Sequence, residues 1–99
     1  MLQYCTMMLN FFKNIAFTKL VKAAERLREY NFRRLPGNNE ELFHVDVSDD
    51  RGNRIIFKMQ KDATSMWRII DTGLPTWIVN SEPRLHEAIE EELQRLSVA

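Results

Sequence analysis

The stretch that decides the fold is Phe43–Met59, FHVDVSDDRGNRIIFKM. Two alternating runs flank Asp49-Asp50-Arg51-Gly52, a sequence suited to a type I turn, with Asp accepting at the first position and Gly supplying positive φ at the last. Such a turn followed by a left-handed glycine makes a three-residue hairpin loop with a bulge, which pairs Asp49 with Asn53. The register then runs outward: Val47 faces Ile55, Val45 faces Phe57 and Phe43 faces Met59. All six are apolar and share one face, because strand side chains alternate with period two. The opposite face receives Ser48 with Arg54, Asp46 with Ile56, and His44 with Lys58. A slip of one residue would turn Phe57 towards water, so turn chemistry and hydrophobic pattern demand the same pairing.

Working downstream, Lys61–Ser65 reads as a loop and Met66–Ile70 as a third strand. Folding it back antiparallel sets Trp67 beside Met59 and Ile69 beside Phe57 on the apolar face, with Arg68 beside Lys58 and Ile70 beside Ile56 on the other. Asp71-Thr72-Gly73 breaks the pattern. Thr76–Val79 is divided between a fourth strand, favoured by its β-branched residues, and a helical turn begun by Pro75. The final segment is a helix, with Asn80 or Ser81 as cap, Glu82 and Pro83 in the first turn and Arg95 in the last. Leu85, Ala88, Ile89, Leu93 and Leu96 make its apolar stripe, and Glu87, Glu90 and Glu91 its solvated side.

Upstream, Phe17, Leu20, Val21, Ala24 and Leu27 follow helical spacing, and Lys19, Lys22, Arg26 and Glu29 take the opposite side, so the periodicity predicts a helix over 17–30. Phe32–Leu35 would follow as a short edge strand before the Pro36-Gly37 turn, with Arg33 and Arg34 on opposite faces and both solvated. The opening MLQYCTMMLNFF has nine apolar residues in twelve. It is shorter than the roughly 20 residues of a membrane span and lacks the basic start and small-residue cleavage site of a secretory leader. It extends the first helix, pairs as an extra strand, or lies against a neighbour; each buries an association hazard.

The 99 residues therefore read as one α+β domain, residues 1–99: an antiparallel meander of three to four strands flanked by an N-terminal and a C-terminal helix. Lys/Arg and Asp/Glu are 14 each, and a net charge of zero argues against strongly electrostatic nucleic-acid binding. The charge is unevenly placed. Residues up to Pro36 carry seven Lys/Arg and two Asp/Glu, whereas the remainder carries seven and twelve. The simple account is that basic and acidic elements neutralise each other across the fold. A lone cysteine, Cys5, suits a reducing, cytoplasmic setting.

The chemical motifs are thin. Asp46, Ser48 and Asp50 have the odd-position spacing of a calcium loop, but Arg51 stands where the glycine belongs and Phe57 where the closing Glu belongs. His44 and His86 share no nucleophile or metal motif, and three glycines leave no phosphate loop. The expectation is thus no metal, no cofactor and no catalysis. One polar constellation remains: His44, Lys58 and Arg68 in a row across the polar sheet face, with Arg54 nearby, able to grip an anion or a partner. Leu42, Ile56, Met66 and Ile70 accompany them instead of the aromatic platforms of single-strand binders. The expected role is a protein-interaction or oligomerisation module, with a homodimer as one form and nucleic-acid or anion binding by the basic row as the alternative.

Overall fold

The computed structural model describes residues 15–34 and 42–97. Five strands, β1 (Ala16–Ala23), β2 (Arg26–Arg33), β3 (Leu42–Ser48), β4 (Arg54–Lys61) and β5 (Trp67–Ile69), precede α1 (Thr76–Val79) and α2 (Glu82–Ser97). The strands form one antiparallel meander in the order β1-β2-β3-β4-β5, curved as a half-barrel. The helix α2 lies on the concave side and touches both outermost strands. No helix among the described residues is long and apolar enough to cross a membrane.

The central hairpin has the register its alternation demands: Val47↔Ile55, Val45↔Phe57, Phe43↔Met59 and, facing out, His44↔Lys58. Asp49 N–H donates to the Asn53 carbonyl at 2.9 Å, and Gly52 closes the turn at φ 84°. The Asp49 carboxylate accepts the amides of Asn53 and Arg51, and these bonds hold it below the usual carboxylate range.

The N-terminal helix expected over 17–30 is instead the hairpin β1–β2, so the sheet has five strands. The face that is buried has period two: Val21, Ala23, Arg28, Tyr30 and Phe32, with Phe17 and Lys19 half-buried. Leu20 and Leu27, which the helical reading placed in the core, are 65% and 64% exposed. The aromatics decide the matter. Phe17 and Phe32 stack as cross-strand partners with centroids 4.8 Å apart, Phe17 meets the edge of Phe43, and Phe43 meets the edge of Trp67. A helix presents one stripe to a core; two paired strands join an aromatic row crossing the whole sheet. The turn Ala24-Glu25 holds φ 53° and 64°, the two-residue form that matches strand twist, built without the glycine or asparagine that ordinarily announces it. Phe32 and Arg33 accordingly end β2 and do not form a separate edge strand. The Pro36-Gly37 turn, Cys5 and the opening segment Met1–Phe12 lie outside the described residues.

Two further expectations change. β5 pairs Lys61↔Trp67, Gln60↔Arg68 and Met59↔Ile69, two residues from the expected register, so the faces are right and the partners are not. The cause is a loop tighter than the composition implies. The Asp62 carboxylate accepts the Thr64 amide (2.9 Å), the Thr64 hydroxyl (2.6 Å) and the Met66 amide (3.0 Å), and Ser65 turns at φ 66°. Thr76–Val79 is a helical turn following Pro75, and it plants Ile78 in the core. Under the sheet lie Leu85, Ala88 and Ile89 of α2. Glu90, expected in solvent, is half-buried and accepts the Trp67 indole N–H at 2.9 Å.

Two outcomes follow. Glu25→Gly relieves a left-handed position and raises unfolding free energy by about 1 kcal/mol in urea titration; in a helix the same change would cost about 1 kcal/mol, so the sign separates the two structures. Asp62 is held far below its ordinary value, chiefly by the Thr64 hydroxyl and the Met66 amide. A carboxylate with a depressed folded pKa stabilises above the unfolded value of about 4 and loses that contribution as pH falls through the folded one. Asp62→Ala is therefore less stable than the parent at pH 7, and the gap in urea midpoint narrows between about pH 5 and pH 2.

Candidate functional site

The convex sheet face carries the residues singled out from the sequence. Cross-strand pairing arranges it in rows: Ala16–Arg33–His44–Lys58, then Thr18–Asn31–Asp46–Ile56. His44 and Lys58 are neighbours, as expected. Arg68 is not in their row, because the tight Asp62 loop sets it beside Gln60. Arg33 takes a place in it: it lies opposite His44, is exposed, and has no ion-pair partner among the described residues. Sequence reasoning missed Arg33 because it ended the first helix at Tyr30 and began a separate strand after it.

Arg54, Lys58 and Arg68 are each engaged. Arg54 pairs with Asp46, which also accepts the Asn31 side-chain amide at 2.9 Å; Thr18 donates to Asn31 Oδ1 at 2.6 Å. This polar chain spans four strands. Lys58 Nζ lies 3.5 Å from Asp71, whose other oxygen accepts the Lys58 amide at 2.7 Å and prolongs the β4–β5 ladder with a side chain. Arg68 pairs with Asp62 (3.1 Å) and Glu82 (3.4 Å), and these bonds raise its pKa. Exposed Leu20 and Leu27 sit diagonally on one flank of the face, Ile56 and Ile70 on the other.

At the end of the half-barrel beyond the Ala24-Glu25 turn, Arg28 is buried. Its Nε donates to the Ala23 carbonyl (3.0 Å), its Nη1 to Asp50 (3.1 Å), and its guanidinium stacks 4.2 Å from the Trp77 centroid. A groove of about 590 Å³ opens here between Ala23, Trp77, Asn80, Ser81 and Arg84. Two of its polar side chains are committed to the fold: Ser81 Oγ donates to the Trp77 carbonyl at 2.7 Å, and Arg84 donates to the Lys22 carbonyl at 2.7 Å. The neighbouring Tyr30 hydroxyl is buried, and burial raises its pKa. Among the described residues the lining of this groove holds no His, Asp or Glu, and no three His, Cys, Asp or Glu side chains converge as metal ligands.

The two edges of the sheet are treated differently. In β5 the amides of Met66, Arg68 and Ile70 share the side facing β4, since Ile70 N–H donates to the Lys58 carbonyl and the Met66 carbonyl accepts the Asp62 amide. Trp67 and Ile69 point theirs outward. Both are capped by α2: His86 Nδ1 accepts Trp67 N–H at 3.0 Å, and Glu82 accepts Ile69 N–H at 2.8 Å. Acceptance through Nδ1 makes His86 the neutral Nε2–H tautomer in this contact.

β1 is the opposite case. The two-residue turn makes Ala23↔Arg26 a hydrogen-bonded pair, and Arg34 N–H donates to the Ile15 carbonyl at 2.8 Å, so the odd-numbered residues bond to β2. Ala16, Thr18, Leu20 and Lys22 direct their amides and carbonyls away from the sheet. The Lys22 carbonyl takes Arg84; those of Ala16, Thr18 and Leu20 have no backbone partner among the described residues. Beside this edge runs a shallow groove of about 250 Å³ between β1 and α2, with Lys19, Leu20 and Lys22 on one wall and Arg84, Glu87 and Glu91 on the other. Lys19 bridges to Glu91 at 2.7 Å, and Glu92, buried beneath, is held ionised first by Arg95 and also by Lys19. The signal for this edge in the sequence is the alternation Phe17, Lys19, Val21, Ala23, which the helical spacing of the leucines masks. Comparison with known protein families, characterised proteins and solved structures finds no match for this chain.

Proposed function

We propose that the chain is a non-catalytic protein-interaction module that receives an extended segment as an added strand on β1. The observation that carries this reading is the asymmetry of the edges. A short edge strand has its outward donors capped by helix side chains, while an eight-residue edge strand keeps three residues' backbone groups open among the described residues. Folded proteins ordinarily blunt a long sheet edge, since it is a template for another chain. An edge strand beside a helix, with a groove between them, is a recurring arrangement for strand addition: main-chain bonds supply affinity and the groove walls read side chains. The walls here mix Lys22 and Arg84 with Glu87, and exposed Leu20 borders them on the convex side.

Leu20→Pro tests it. The Leu20 amide points outward, so proline removes a donor that β2 does not use, and edge positions tolerate it. Linear peptides selected from a random library on the parent protein should bind it and lose at least tenfold in affinity for L20P, while the far-ultraviolet circular dichroism of the two proteins stays superimposable. Peptides that bind both forms equally would overturn the reading.

A second reading rests on Arg33. This arginine, without an ion-pair partner among the described residues, adjoins His44 and Lys58 in one row, a geometry able to hold an anion such as a nucleic-acid phosphate. It predicts weak retention of a single-stranded oligonucleotide at low salt that falls as salt rises, and its loss in the double variant R33E/K58E. No retention at low salt by the parent protein removes this reading.

A further inference from the structure

We infer that the segment received by β1 is the β1 strand of a second copy, paired antiparallel about a two-fold axis through Thr18. The inference rests on the strand-addition reading and names the partner. The edge allows few registers. Among the described residues the open backbone groups belong to Ala16, Thr18 and Leu20, and the next carbonyl, that of Lys22, is already taken by Arg84. Pairing Thr18 with Thr18 sets Ala16 opposite Leu20 and Leu20 opposite Ala16. All three open residues of one copy then meet the three of the other, and Lys22 is not called on.

Charge selects the same register. β1 carries Lys19 and Lys22 and no acidic residue, so self-pairing brings together two strands of like sign. With Thr18 on the axis, Lys19 of each copy lies opposite Phe17 of the other, and no lysine faces a lysine. Moving one step along the ladder sets Lys19 directly opposite Lys19 in a close, non-hydrogen-bonded pair, where like charges repel, and calls on the blocked Lys22 carbonyl. Moving one step the other way leaves Leu20 without a partner among the three. Lys19 is already turned inward to Glu91 and Glu92 of its own helix, which lowers the charge presented at the seam. On the convex face the seam would carry Leu20 against Ala16, covering a leucine that is 65% exposed in the single chain. Such an interface is isologous and closed, joining two five-stranded sheets into one of ten strands and ending growth at two copies, because the β5 edges are capped.

The axis makes the experiment register-specific. Thr18 is exposed, and its side chain makes one exposed hydrogen bond, to Asn31, so charged residues are tolerated there in the single chain. Thr18→Lys places two ammonium groups face to face across the axis, and Thr18→Glu two carboxylates. Light scattering over tens to hundreds of micromolar should give a dimeric mass for the parent, a monomeric mass for T18K and for T18E separately, and a dimeric mass again for their equimolar mixture. Circular dichroism and thermal unfolding verify that each variant is folded. A parent that stays monomeric throughout, or dimers that persist in both single variants, would overturn self-pairing and leave strand addition to be decided by the peptide and L20P experiment. A dimer dispersed by L20P whose T18K and T18E forms fail to recombine would overturn this register while leaving the edge reading in place.

Discussion

The fold depends on how α2 is tied to the last strand. Trp67 is the knot. Its ring is buried against the edge of Phe43, its indole N–H ends on Glu90, and its main-chain N–H ends on His86. Two residues further along, Ile69 is tied to Glu82. These bonds satisfy polar groups that would otherwise be stranded at a sheet margin, and they fix the helix while Leu85, Ala88 and Ile89 close the core beneath it. A three-residue strand has little pairing of its own. Here it persists because one side is laddered to β4 and the other is bonded to a helix.

From that attachment the helix reaches across the concave side to β1, where Arg84 and Glu91 meet Lys22 and Lys19. The contact there is electrostatic and partial. It orients the helix without covering the strand's backbone, and the same crossing that seals one margin of the half-barrel leaves a slot along the other. The edge left open among the described residues is thus a consequence of the helix's path. Charged groups inside the fold obey the same logic. Arg28 is lodged between a carbonyl, Asp50 and the Trp77 ring, and Glu92 between Arg95 and Lys19. Each is supplied with partners, as burial of charge requires.

The convex face shows how far a surface pattern can be read before its geometry is known. His44 and Lys58 are neighbours because one hairpin register places them there. Arg68 belongs to a different row because a carboxylate and a hydroxyl tighten the preceding loop, and Arg33 joins the row because β2 extends where a helix was expected. Most of the cations on this face are balanced by Asp46, Asp62, Asp71 or Glu82, so the basic character seen in a list of residues is largely neutralised in space.

The sequence by itself determined the central hairpin, the side of β5 that faces inward and the stripe of α2. In each of these the turn chemistry or the period agrees with the burial, and the deciding contacts are local or the apolar alternation is unambiguous. It did not determine β1 and β2. Their leucines mimic helical spacing, their turn lacks glycine, and the choice between one stripe and two strands rests on Phe17 finding Phe32 and Phe43, residues well beyond the reach of one helical turn. Only the tertiary structure decided which sheet edge the helix caps and which it leaves open among the described residues, because that depends on where the last helix in chain order comes to lie against the strands that precede it.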